Sequence, residues 1–186
     1  MIKIVHETDT DPQAQSALLD EAFGPDRKKK TAYRLRDGVA EISDLSFAAY
    51  DDETLIGTIR FWPAQVRAPA GAKSTPILIL GPLAVAADYT GQGVGLELIN
   101  RGLERAGQLG HRLVILVGDL PYYARAGFQR EGAERLSLPG PVDPARLLIC
   151  ELAEGAAAGL EGRVEKADGR GKAGVEDAVR KKKVIR

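Results

Sequence analysis

The sequence predicts an α/β fold of the α+β kind: a mixed sheet, mostly antiparallel, with one parallel central strand pair and helices flanking it. Three observations predict it. Two strand-like stretches, 45–50 and 54–66, are separated by an acidic turn and read as an antiparallel hairpin. An apolar run at 77–85 is long enough for a buried central strand. Between that run and a second at 112–117, apolar positions recur at three and four residues, so a helix joins two strands. Strand, helix and strand in that order make a right-handed crossover with a parallel pair at its base.

Each element has its own signal. Residues 2–5 cluster apolar side chains as a first strand does, and 9–11 offer a cap for a helix carrying Ala14, Leu18, Leu19 and Phe23. Gly24 and Pro25 end it, and a second helix is expected over 26–36, with the basic face at 27–30 solvated. Asp51, Asp52 and Glu53 turn the hairpin, and a Pro/Gly/Ala loop at 67–75 leads to the central strand. The long helix over 93–110 carries Val94, Leu98, Ile99, Leu103, Ala106 and Leu109 on one face and stops at Gly110. A short helix at 121–125 and two last strands, around 133–138 and 146–152, complete the expected order.

At 186 residues the chain suits one domain. The reading assigns 1–154 to that domain and 155–186, rich in Gly, Ala and charge and closing in KKKVIR, to a partly ordered extension. Hydrophobic residues make up 44% and charged residues 28%, a globular balance. Lys and Arg number 26 and so do Asp and Glu, so net charge points to no nucleic acid, anionic membrane or acidic partner; the run at 180–183 is explained as well by solvation. A single cysteine, Cys150, fits a reducing compartment, and neither a signal peptide nor an apolar stretch near the ~18 residues of a membrane span is present, so the cytoplasm is expected.

Chemistry should concentrate between the central strand and the long helix, at Thr90, Gly91, Gln92, Gly93, Val94 and Gly95. A helix start leaves amides unpaired and carries partial positive charge, so a phosphate there satisfies donors. Glycine allows the backbone to approach an anion and to take positive φ. A tight turn with no ligand satisfies the same glycines. A dinucleotide fingerprint, G-x-G-x-x-G, needs glycine where Leu96 stands, and the Lys73-Ser74 pair follows Ala72 in the loop before a strand, which fails a triphosphate loop.

Leu83-Ala84-Val85 followed by TGQGVG, then LVGDLPYYARAGF, resembles the GNAT superfamily of N-acetyltransferases: its Gln/Arg-x-x-Gly-x-Gly/Ala pyrophosphate loop and its Tyr-x-x-x-Gly-Phe segment. The likeness spans roughly 1–154 and is most specific over 80–128. Thr90 stands where that family usually has Arg or Gln, and Ala87 where Pro is common, so one loop charge is missing. The resemblance implies acetyl-coenzyme A as co-substrate, without a metal, held between the fourth and fifth strands. Its pantetheine arm would pair with backbone at Leu83, Ala84 and Val85, and its pyrophosphate would lie on residues 90–95, with Arg125 as a further base. An amide there would hold the thioester carbonyl, and Tyr123 would serve the departing thiolate. The implied reaction is attack by an amine of a small molecule or protein; the alternatives are an acyl-coenzyme A sensor without turnover and, more weakly, a nucleotide-binding module. Asp119, Glu53 and Asp44 are candidate bases, Trp62 lines the acceptor pocket or closes the core, and His6, His111 and Cys150 make no convincing triad. The sequence does not give the oligomeric state; pairing of two copies through the late strands is common among similar proteins, which leaves a homodimer open.

Overall fold

The computed structural model describes residues 1–29, 31–69 and 73–167, and within them one sheet of eight strands. The strands are β1 Ile2–His6, β2 Phe47–Asp51, β3 Thr54–Arg67, β4 Thr75–Val85, β5 Leu113–Val117, β6 Leu136–Ser137, β7 Leu147–Glu151 and β8 Gly162–Lys166. The helices are α1 Pro12–Phe23, α2 Thr31–Arg34, α3 Val94–Gln108 and α4 Leu120–Tyr123. The order across the sheet is β1-β2-β3-β4-β5-β7, with β4 and β5 parallel and the other neighbours on that path antiparallel.

Local chemistry sets the ends of these elements. Asp11 caps α1 by accepting from the Gln13 amide at 3.0 Å, Pro12 fills the first turn, and Gly24 leaves the helix at φ +79°. On α3 the predicted stripe Val94, Leu98, Ile99, Leu103 and Ala106 is buried against Ile59, Phe61, Leu80 and Leu116. Each large side chain so buried contributes roughly 1.5–3 kcal/mol, which fixes this helix to one face of the sheet. The approach is close because Gly102 has no side chain; a Cβ there would collide with the Phe61 ring. The other face is covered by α1, through Leu18 and Leu19 on Ala84, and by the segments carrying Ala133, Ala157 and Leu160.

The structure departs from expectation in three places. The helix expected over 26–36 is broken into a 3₁₀ turn, Pro25–Lys29, and the single turn of α2. Its first basic residue is not solvated: Arg27 is buried, donating to Asp20 at 2.7 Å and to Tyr33 and Ser16, because a side chain folded back on α1 finds three acceptors. The strand expected at 133–138 shrinks to two residues, and its partner is β8, parallel, which gives the sheet a second parallel contact. Residue 154 therefore does not end the sheet: β8 also pairs with the far half of β3 and buries Val164 completely. Residues 168–186, including the terminal basic run, lie outside the described residues.

Candidate active site

β4 creates the site by changing partners along its length. Leu78 pairs with Val114 and Ile79 with Ile115, and there the contact with β5 stops, while β5 continues along β7 to Val117. The two parallel strands splay, so the β5-facing edge of β4 from Leu80 to Val85 has no strand beside it among the described residues. Such an edge carries amides and carbonyls ready to pair with an extended ligand. Leu83, Ala84 and Val85 are the last three residues of this open stretch.

A bulge opens the same stretch. Phe61 faces Leu80 but Ile59 faces Leu83, so β4 holds one residue more than β3. The extra residue reverses the alternation: Leu78, Leu80, Leu83 and Val85 all pack on the α3 side, and Ala84 packs on α1. Gly81, at the bulge, has φ +124°, a conformation that side-chain-bearing residues rarely adopt, and its carbonyl accepts from Trp62 Nε1 at 2.7 Å.

After β4 the chain makes a 3₁₀ turn, Ala87–Tyr89, and enters α3 through the glycine loop. Gly91 and Gly93 have φ +82° and +87°, and a Cβ on either would meet nothing within 4 Å, so both face open space. The Thr90 amide donates to Ala87 and the Gln92 amide to Tyr89, while the Gln92 side chain donates to the Asp88 carbonyl at 2.8 Å. Those internal bonds shape the loop and leave the amides of Gly91, Gly93, Val94, Gly95 and Leu96 without an acceptor among the described residues. Val94 and Gly95 are buried, so the open space lies at Gly91 and Gly93. Unpaired donors at the start of a 15-residue helix, beside that open space, are of the chemistry that fits a pyrophosphate.

Tyr123 is placed by α4 and held on three sides. Its ring lies on Gly118, where a Cβ would collide with it, and meets Tyr122 and Phe128 edge-on at centroid distances of 5.0 and 6.0 Å. It lines a cavity of about 490 Å³ together with Gly81, Pro82, Leu83 and Arg146. Burial pushes its phenol up to about 12, with Tyr122 and Asp119 adding to the shift and Arg146 opposing it, so the hydroxyl stays protonated. No described residue accepts from that hydroxyl.

Tyr122 takes a place the sequence reading did not give it. Its hydroxyl sits over Gly95, which explains the glycine there: a Cβ would collide with that oxygen. Burial raises its phenol, and the nearby charge of Arg125 opposes the rise. The visible signal was the paired tyrosines before Gly127-Phe128.

The candidate bases do not enter the cavity. Asp119 is paired with Arg146 at 3.2 Å beside Tyr123, and neither it nor Asp44 nor Glu53 lines the cavity of about 490 Å³. His6 stacks on Phe47 at 4.7 Å, and burial lowers His111; neither lines the cavity that holds Tyr123. Cys150 is buried, and burial raises its thiol, which keeps it from acting as a thiolate. Trp62 belongs to a pocket wall: it lines a second cavity of about 820 Å³ on the α1 side, with Arg36, Arg60 and Pro82. Among the described residues no three His, Cys, Asp or Glu side chains are grouped to hold a metal, and no helix is long and apolar enough to cross a membrane.

Splayed parallel strands, a bulge and an amide cradle can be compared with known proteins. Residues 13–128 match the model of the acetyltransferase (GNAT) family. The chain belongs to the GNAT family. With it come the acyltransferases as an enzyme class. The chain is 31% identical over 161 residues to the uncharacterized N-acetyltransferase YhbS of Escherichia coli strain K12, covering 86% of this chain and 92% of that one. The crystal structure of E. coli YhbS in complex with coenzyme A superposes with a TM-score of 0.72 at 28% identity, over 94% of this chain and 93% of that one. A GNAT family acetyltransferase from Brucella melitensis in complex with acetyl-coenzyme A gives 0.56 at 26% identity, over 80% and 94%. The GNAT chain described here shares with these structures a mixed sheet flanked by helices.

Proposed function

We propose that this protein transfers the acetyl group of acetyl-coenzyme A to an amine of a small molecule or protein, by direct attack of the amine on the thioester, in the cytoplasm. The observation that carries the reading is the run of five unpaired amides at Gly91 and Gly93 to Leu96 beside the open edge of β4. The coenzyme, when bound, supplies an activated acetyl group and a thiolate that must leave. Two GNAT proteins similar to this chain are known with coenzyme A or its acetyl ester, which supports the same ligand here.

The chain's residues then divide the work. Amides of the loop receive the pyrophosphate, and Arg125 adds the positive charge that Thr90 lacks. The free edge at Leu83, Ala84 and Val85 pairs with the pantetheine amides, and an amide of that edge steadies the thioester oxygen as negative charge develops. Tyr123 donates a hydrogen bond to the departing sulfur. With its phenol at about 12 against a thiol near 8.5, full proton transfer costs roughly 5 kcal/mol, so donation rather than transfer is the favoured role. The attacking amine loses its proton to water admitted through the cavity, since Asp119 is engaged by Arg146.

The test is titration calorimetry with coenzyme A, followed by thiol release from acetyl-coenzyme A across a panel of amines. Binding with amine-dependent release is expected. Absence of binding to any coenzyme A thioester would overturn the proposal, and binding with no release for any amine would replace it with a sensor.

A further inference from the structure

Arg36 lines the same cavity as Tyr123, and its chemistry is incomplete. It is 8% exposed, and its Nε is buried with no hydrogen-bond acceptor. Its guanidinium is 5.0 Å from the Tyr33 ring centroid and 5.9 Å from that of Trp62, and Nη2 is so close to Gly81 that a Cβ there would lie 2.8 Å away. Aromatic faces attract a cation but offer it no acceptor, and a buried guanidinium lacking a carboxylate is costly.

Its neighbours do not share this condition. Arg60 donates to Glu7 at 2.6 Å and also bonds Gln15, Arg27 is paired with Asp20 at 2.7 Å, and Lys166 lies 3.7 Å from Asp37. No carboxylate among the described residues pairs with Arg36. Burial pushes its guanidinium down to about 10, helped by the charge of Arg60, and it is still charged at neutral pH.

Position gives this unpaired cation a use. Arg36 lines both cavities: the one of about 490 Å³ that holds Tyr123 and Leu83, and the one of about 820 Å³ on the α1 side. Both volumes suit a small ligand. Six cationic side chains line the larger cavity against one acid, Asp37, and three of the six, Lys28, Arg34 and Arg36, have no acid partner among the described residues. Guanidinium forks pair with the planar oxygens of a carboxylate or the oxygens of a phosphate.

We propose that the acetyl acceptor is an anionic amine, whose carboxylate or phosphate pairs with Arg36 while its amine end reaches towards Tyr123. The assignment rests on the acetyl-transfer reading for its amine end; the anion site stands on Arg36 alone.

Trp62 is the single tryptophan of the chain and stacks on Arg36, so its fluorescence reports on the site without turnover. Three amines built on one aminoethyl unit separate the possibilities in the coenzyme-loaded, full-length protein: β-alanine, phosphoethanolamine and ethanolamine, at constant ionic strength. Saturable quenching is expected with β-alanine or phosphoethanolamine, whichever oxyanion fits, at least ~10-fold tighter than with ethanolamine. Arg36→Met should abolish that preference and Arg36→Lys should keep part of it, with coenzyme affinity unchanged in both. Equal binding of all three amines, no saturation with either acid at any reachable concentration, or a preference that survives Arg36→Met would overturn the proposal. Should Arg36→Met fail to fold, the wild-type comparison and Arg36→Lys still decide. Thiol release measured with the same amines keeps the two readings apart. Titration without release for any amine sinks acetyl transfer alone, and release favouring ethanolamine without titration by the acids sinks the anion site alone.

Discussion

At the start of α3 the unpaired polarity is backbone: five amides within six consecutive residues, with Gly91 and Gly93 facing open space and Val94 and Gly95 buried behind them. Around Arg36 it is a side chain, brought by a segment far from β4 in sequence and wedged between Tyr33, Trp62 and Gly81. The first kind of site is rigid, local and indifferent to which side chains decorate it. The second depends on packing among three distant stretches, so it can change its ligand by a single substitution. A coenzyme common to many enzymes suits the former, and an acceptor particular to one enzyme suits the latter.

Four experiments sharpen or break this division, and the largest effect is expected between the two sites. Tyr123→Phe should lower kcat by about 100-fold, the low end for a lost proton-donating group, with coenzyme A affinity within about twofold of wild type. Equal loss of affinity would mean that the tyrosine belongs to the cradle. Gly93→Val forces a branched side chain into φ +87° and should weaken coenzyme A binding by about 10-fold while leaving Trp62 quenching by anionic amines in place. If quenching fell as well, the two ends would be one cooperative unit.

Gly102→Ala tests the scaffold beneath both. Higher helix propensity would favour alanine by about 1 kcal/mol, but the new methyl collides with Phe61, which is fully buried, so a net loss of about 1–3 kcal/mol is expected from denaturant unfolding. The smallest effect is one of pH. Tyr123 holds its proton to about 12 when folded and to about 10 when unfolded, so the native state binds more protons across that window. Stability present below pH 10 is then lost as pH rises towards 12, by roughly 1–2 kcal/mol, and Tyr123→Phe should remove that part of the slope.

Where the signal was local, the sequence was readable. The 3.6-residue stripe on α3, the hairpin about Asp52 at φ +50° and the glycine loop each depend on residues within a few positions of one another. Tyr123 was named from a motif alone, and its ring contacts with Gly118 and Phe128 came only with the structure. Arg36 was read only as part of a helix with a basic face, although Tyr33 three residues before it was a hint of stacking. β8 was missed because its short alternation carries charge at three of five positions and gains its place only by lying along β3.

The chain's own pattern of glycine, apolar period and capping residues was enough to determine a mixed sheet, the crossover helix and the glycine loop at its start, since a helix start leaves backbone donors unpaired without any distant partner. Folding in three dimensions decided the rest. It determined where β4 parts from β5, which of the arginines were given a carboxylate, and that Arg36 was left beside the opening without one. Burial and ion pairing are properties of neighbours, and neighbours from residues 36, 62 and 81 meet only when the sheet has formed.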